Sequence, residues 1–285
     1  MAFTAADVKT LREMTSVGMM DCKKALVECD GDMDKAVEWL REKGLAKAAK
    51  KAGRIAAEGM SYALTENGVG VVVEVNCETD FCAKSDLFVA FVKDIAKVIA
   101  EQDPADVDAL MNCKYLDSDL TVSETMPEKV MSIGENLQIR RFVRFAENTS
   151  VGYVHAGGKI GVLVQFDVEG IDPASDGFKQ FGRDVAMQVA AAAPVAATRE
   201  SVDPAIVEHE KAIYMAQAAE SGKPEAIQEK MATGRLEKFF KESTLTEQPF
   251  VKNPDQSVSE YAAEVAKNLG GEIKIVDFKR FVLGE

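Results

Sequence analysis

The chain reads as α+β: a small three-helix bundle at the N-terminus, then a core of two repeated α+β subdomains, the second carrying an inserted antiparallel helical hairpin. Three observations predict this. Apolar residues recur at helical spacing in three short runs within the first 44 residues. Gly70-Val71-Val72-Val73 returns as Gly161-Val162-Leu163-Val164, 91 positions on. The repeat offset then lengthens from 90 to 136, which places an insertion of 46 residues between Ala190 and Val258.

Taken in order, Thr4 and Asp7 form a capping pair, with the acid in place of the usual Glu, and Val8, Leu11 and Arg12 carry a helix to about Met14. Gly18 breaks it. A second helix spans 19–29, with Cys22, Leu26 and Cys29 at helical spacing. Asp30-Gly31-Asp32 turns the chain and Asp32 caps a third helix striped by Met33, Ala36, Val37 and Leu40. The bundle is assigned to 1–44 and a basic linker helix to 45–58, holding Lys47, Lys50, Lys51 and Arg54. That stretch is either a solvated linker or a surface for an acidic patch on a partner.

The first core subdomain is assigned to 59–146. Val71, Val72, Val73 and Val75 form a β-branched run suited to a strand inside a packed core. A polar loop follows, then a helix from about Ser85. Its Phe88, Phe91, Ile95, Ala96, Ile99 and Ala100 align, 90 positions on, with Phe178, Phe181, Val185, Ala186, Val189 and Ala190. Val122-Ser123-Glu124 matches Val258-Ser259-Glu260, and Gly134, Ile139, Phe142, Arg144 and Phe145 match Gly270, Ile275, Phe278, Arg280 and Phe281, all at 136. Each half is thus strand, helix, helix, strand, ending in strands at 137–145 and 272–282, with a pseudo-twofold between them. The second subdomain, 147–285, holds the hairpin at about 200–242. Asp203-Pro204 opens its first helix, striped by Ile206, Ile213 and Met215, and Ile227, Met231 and Leu236 line the return. The stripe is thin, which leaves three roles open: packing on the body, contact with a partner, or a homodimer through the hairpin.

A net charge of −13 speaks against a nucleic-acid binder with a broad basic face. No run of about 18 apolar residues occurs, so no membrane span is expected. The N-terminal stretch lacks the pattern of a signal peptide, and a cytoplasmic protein is expected. Five cysteines (Cys22, Cys29, Cys77, Cys82, Cys113) with no C-x-x-C pair speak against a disulfide framework and against a zinc site. Of the two histidines, His209 stands between Glu208 and Glu210 in a segment that is not H-E-x-x-H, and His155 lies in a turn. A-G-G-K-I-G is not a phosphate loop, and no G-x-S-x-G occurs. No catalytic, metal-binding or cofactor-binding residue is assigned, and the chain is not read as an enzyme.

Phe81 belongs to neither flanking periodicity: it either folds back onto the core or points outward as a probe. Four words in order bear on this choice. They are Thr15-Ser16-Val17-Gly18-Met19-Met20-Asp21-Cys22-Lys23-Lys24-Ala25-Leu26, Glu74-Val75-Asn76-Cys77-Glu78-Thr79-Asp80-Phe81, His155-Ala156-Gly157-Gly158-Lys159-Ile160-Gly161-Val162-Leu163-Val164, and Gln248-Pro249-Phe250-Val251. With them the chain resembles the bacterial elongation factor Ts family, the guanine-nucleotide exchange factors of elongation factor Tu. It departs from the family pattern at Cys82, where Val is usual, and at Ser16-Val17, where Gly-Ala is usual. The resemblance implies a ubiquitin-associated-like (UBA-like) N-terminal bundle, a two-subdomain core and a coiled-coil hairpin. It implies that the loop 79–84 (Thr79, Asp80, Phe81, Cys82, Ala83, Lys84) enters the partner's GTPase domain. There Phe81 wedges into an apolar slot and dislocates the elements that organise Mg²⁺. Gly18, Met19 and Met20 of the bundle, and His155 and Gly157 of the second half, are the other implied contacts. A scaffold or adaptor without exchange activity is the second reading, and an enzyme using the Cys77–Cys82 region or His155 the third.

Overall fold

The structure is a computed structural model and describes residues 3–285. Met1 and Ala2, which begin the N-terminal stretch and the 1–44 unit read above, lie outside the described residues. Three helices come first: α1 (Ala5–Thr15), α2 (Met19–Glu28) and α3 (Met33–Lys51). Thr4 and Asp7 form a complete capping box on α1, and Asp32 caps α3. Val8, Leu11, Cys22, Leu26, Ala36 and Leu40 pack together between them.

The separate basic helix expected at 45–58 does not form. α3 runs unbroken through Gly44 to Lys51, and strand β1 (Glu58–Glu66) starts where the linker was expected to end. Gly44 is a point of close approach: a Cβ there would lie 3.2 Å from the Pro127 carbonyl oxygen. Pro127 belongs to α7 (Val122–Ile133), which α3 crosses, with Arg41 paired to Glu128 at 3.1 Å.

The first core half continues from β1 through β2 (Val69–Cys77), α4 (Asp80–Ala83), α5 (Asp86–Gln102), α6 (Val107–Met111) and α7 to β3 (Gln138–Phe145). Its sheet is antiparallel in the order β1-β2-β3. The second half is β4 (Thr149–His155), β5 (Ile160–Glu169), α8 (Asp176–Ala192), the hairpin α9 (Pro204–Ala219) and α10 (Glu225–Ser243), the short pair β6 (Pro249–Phe250) and β7 (Asn253–Ser257), α11 (Val258–Leu269) and β8 (Glu272–Val282). Its sheet is β4-β5-β8, again antiparallel.

The main sheet of each half therefore has one strand more than the expected strand-helix-helix-strand unit, and the second half adds the short β6–β7 pair. β1 is the added strand of the first half, and Asn67-Gly68, both with positive φ (52° and 80°), closes it onto β2 as a two-residue hairpin. β4 is its counterpart in the second half.

Alternation along β2 sends Val71, Val73 and Val75 into a core with Phe88, Phe91, Ile95 and Ile99 of α5. On β5 it sends Val162, Val164 and Phe166 against Phe178, Phe181 and Val185 of α8. The opposite faces of the two sheets meet, and Val72, Leu163 and Phe281 pack between them. The contacts are reciprocal. A Cβ on Gly70 would strike Ser150 and Leu163, and one on Gly161 would press on Ser61 and Val72. Gly70 and Gly161 are repeat partners, as are Val72 and Leu163, so the pseudo-twofold runs between the sheets. The β-bulges obey it too, at Glu74/Val75 and at Gln165/Phe166.

The hairpin helices pack on each other through small residues the apolar stripe had not included, Ala218 and Ala232, both buried. Ile206 and Ile227 of the expected stripe are instead exposed. The base is tied down by Phe240, Val202 and Ala196, and by Arg199, whose guanidinium donates two 2.8 Å bonds to Glu247 and one of 3.0 Å to Glu237. Among the described residues no helix is long and apolar enough to cross a membrane.

Candidate functional site

The site grows from the end of β2. After Cys77 the chain leaves the sheet, and Thr79 caps a single helical turn. Its hydroxyl accepts from the Cys82 N–H at 3.2 Å. Ser85 then caps α5, accepting from the Phe88 N–H. Two caps six residues apart confine α4 to one turn, and one turn must divide its side chains. Cys82 and Ala83 go inward, while Asp80, Phe81 and Lys84 face out. Phe81 is 83% exposed, so of the two orientations open to it the outward one is taken. Asp80 and Lys84 pair across the turn at 2.7 Å, flanking the ring with an ion pair.

The turn is held from below by side chains that periodicity does not mark. Glu135, just after α7, accepts the Glu78 N–H at 2.9 Å, the Thr79 N–H at 3.0 Å and the Thr79 hydroxyl at 2.6 Å. Glu78 answers by accepting the Asn136 N–H at 2.7 Å and Arg54 at 3.3 Å. Two carboxylates thus exchange backbone bonds between the β2–α4 and α7–β3 connections. Two residues of the basic stretch join this anchoring, Lys51 donating to the Gly134 carbonyl and Arg54 reaching Glu78, while Lys47 pairs with Asp21 of α2 at 2.9 Å within the N-terminal bundle.

The Asn136 N–H, and after it Arg54, hold the Glu78 carboxyl below its ordinary value of 4.5, against an opposing desolvation. A carboxyl depressed in the folded state contributes stability above its unfolded pKa and loses it as pH falls through the folded one. Protection of the Asn136 amide against hydrogen exchange, corrected for the intrinsic rate, should hold from neutrality to about pH 5 and fall below about pH 4. The fall should vanish in Glu78→Gln; a flat profile in the wild-type chain would remove Glu78 from the anchor.

Beneath the turn lie two thiols. All five cysteines are free. Cys77 donates to the Thr79 carbonyl at 3.3 Å, and the hydrogen bond with Cys77, then burial, push the Cys82 thiol far up. Both thiols are buried, so neither is presented to solvent as a nucleophile would be.

The remaining sequence-marked residues sit on other elements. Gly18 is the N-cap of α2, and Met19 and Met20 stand exposed on its first turn. His155 ends β4, with its Nδ1 3.0 Å from the Tyr153 hydroxyl. The turn after it passes through Ala156, Gly157 and Gly158 at positive φ. At Gly158 a Cβ would fall 2.6 Å from Met60, so this turn lies tight against β1. His209 is exposed on α9. The structure gathers the six residues 79–84 into one turn and leaves the α2 start and the β4–β5 turn as separate surfaces. Glu78, Glu135, Asn136 and Arg54 were missed because their partners lie 24 to 58 residues away.

A family model described as elongation factor TS matches residues 78–285. The chain is 49% identical over 287 residues to the elongation factor Ts of Clostridium novyi, covering 99% of this chain and 93% of that protein. It is 49% identical to that of Trichlorobacter lovleyi (100% and 94% covered) and 50% identical to that of Alkalilimnicola ehrlichii (100% and 93%).

Proposed function

Because the chain belongs to the elongation factor Ts family, we propose that it is a guanine-nucleotide exchange factor for elongation factor Tu, acting in the cytoplasm during translation elongation. The observation that carries the mechanism is Phe81, an apolar ring raised into solvent on a turn anchored at both ends. A large exposed apolar side chain on a rigid base costs little ordering when it enters a slot on a partner.

In this reading the turn 79–84 inserts beside the Mg²⁺ site of the GDP-bound partner. GDP phosphates are held largely by Mg²⁺ and oriented backbone donors. A wedge that shifts the elements around the cation leaves phosphate charge uncompensated, and GDP leaves faster. Linkage makes this reciprocal: bound nucleotide weakens the grip of the factor by the same ratio, so the nucleotide-free partner is held most tightly. No group on this chain needs to make or break a bond. Met19 and Met20 offer a second apolar contact and the His155–Gly157 turn a third. Ile206 near the base of the hairpin and Ile227 near its tip are separately exposed, and the hairpin offers a further contact, including with a second copy of the chain.

The test is release of a fluorescent GDP from elongation factor Tu at fixed Mg²⁺. Substoichiometric protein should accelerate release strongly, and added GDP should dissociate the complex. Complex formation indifferent to GDP, with release unchanged, would replace this reading with the adaptor.

A further inference from the structure

The words Cys77-Glu78-Thr79-Asp80-Phe81-Cys82 form a C-x4-C pair, which lies within the ligand spacing that closes around one metal ion. The helical turn brings the pair together. Both sulfurs and a Glu135 carboxylate oxygen all lie within 4.8 Å of one another. We propose that Cys77, Cys82 and Glu135 form a site for a soft divalent cation of the zinc class, which fastens the turn beneath Phe81.

The donor set is chemically coherent. Two thiolates and one carboxylate balance a divalent charge to within one unit, and thiolates select soft or borderline cations over Mg²⁺ and Ca²⁺. A tetrahedral zinc site with metal–sulfur bonds of about 2.3 Å needs ligand atoms roughly 3.7 Å apart. The cluster therefore has to contract by about an ångström, within reach of side-chain rotation. Glu135 is already oriented. One of its oxygens accepts both the Glu78 and Thr79 N–H groups, while the other accepts only the Thr79 hydroxyl and keeps a lone pair. These bonds form the supporting shell that metal sites require around their ligands. Cys77 and Cys82 are buried and Glu135 half-buried, so the fourth position opens through the carboxylate side to water. Binding releases the two thiol protons as the metal–sulfur bonds form, with no change in oxidation state. The cation would join the end of β2, the inner face of α4 and the α7–β3 connection, the same three pieces that Glu135 and Glu78 already tie. It rests on these side chains alone and stands whether or not the exchange reading holds.

Cadmium(II) is the probe, added to the reduced full-length chain without oxygen. One equivalent should bind by native mass spectrometry and produce the near-ultraviolet absorption of cadmium–thiolate bonds. Alkylation followed by peptide mapping should show cadmium slowing modification of Cys77 and Cys82 relative to the metal-free chain, while the rates at Cys22, already buried, and at Cys29 and Cys113 stay unchanged. Cys82→Val should lower affinity at least about 100-fold and Glu135→Gln about tenfold, the latter keeping the thiolate absorption. Absence of that absorption at one equivalent overturns the proposal. So does a cadmium-dependent slowing that maps to other cysteines, a measurement that needs no variant to fold.

Discussion

Phe81→Ala is expected to leave the chain as stable as before and to remove most of its acceleration of GDP release. The two halves of this expectation rest on one number. At 83% exposure the ring contributes almost nothing to the interior, so truncation should shift stability by less than about 0.5 kcal/mol. Its backbone is secured independently by the Thr79 cap and by Glu135, neither of which touches the ring's role. Aromatic anchors at the centre of an interface cost 2–4 kcal/mol or more on truncation, which is roughly 30- to 1,000-fold. The measurement is the rate of labelled-GDP release from elongation factor Tu at saturating factor, beside a binding assay on the nucleotide-free partner. A wedge predicts a slow release rate that saturation does not rescue, because the lost contact is one made only as the Mg²⁺ site deforms. Recovery of the full rate at high factor concentration would make Phe81 a binding residue only. An unchanged rate would remove it from the mechanism.

The repeat was legible because a strand buried on both faces and a helix with one buried face leave strong patterns. Gly70 to Val73 and Phe88 to Ile99 carry their partners 91 and 90 positions on, and the structure superposes their roles down to the paired bulges. What the periodicity did not carry is equally specific. β1 pairs along its whole length with β2 yet alternates weakly, with Ser61 buried and Ala63 half-buried, and its mark was the Asn67-Gly68 turn rather than its strand. Gly44 looked like an end and is a contact. The thin hairpin stripe omitted the alanines that let α9 and α10 approach. At the site, the words named the turn, but the direction of Phe81 depends on the caps at Thr79 and Ser85 acting together. The convergence of Cys77, Cys82 and Glu135 depends on a contact 53 to 58 residues long in sequence, which no local pattern encodes.

Glu74→Ala should be the most destabilising single change at the junction of the two halves. Glu74 is the repeat partner of Gln165, at the equivalent bulge, and has no solvent exposure. One oxygen accepts Arg141 Nε at 2.7 Å, and the other accepts Arg140 at 3.2 Å and the Gly284 N–H at 3.0 Å. Arg141 in turn donates to the Val282 carbonyl at 3.0 Å and lies over the Phe281 ring at 4.4 Å. One carboxylate of the first sheet thus holds two arginines of β3 and the chain just beyond β8. Burying a charge is costly in itself, so the cluster is weak evidence of net stabilisation, but removing one member strands the others. Both arginines are about one-third exposed and can turn partly to water. The expected loss is therefore near the lower end of the range for a broken buried pair, about 3 kcal/mol, or a fall in Tm of roughly 6–12 °C. Hydrogen exchange should rise first at 282–284, where the Gly284 N–H loses its acceptor. Replacing Glu74 and Arg141 together by methionine should recover part of the loss, since the shortest pair is then absent, while Arg140 and the Gly284 N–H still lack their acceptor. A fall in Tm of under about 2 °C for Glu74→Ala would mean that the arginines find equal partners elsewhere, and that the packed sheet faces, with Val72, Leu163 and Phe281 between them, join the halves without this cluster.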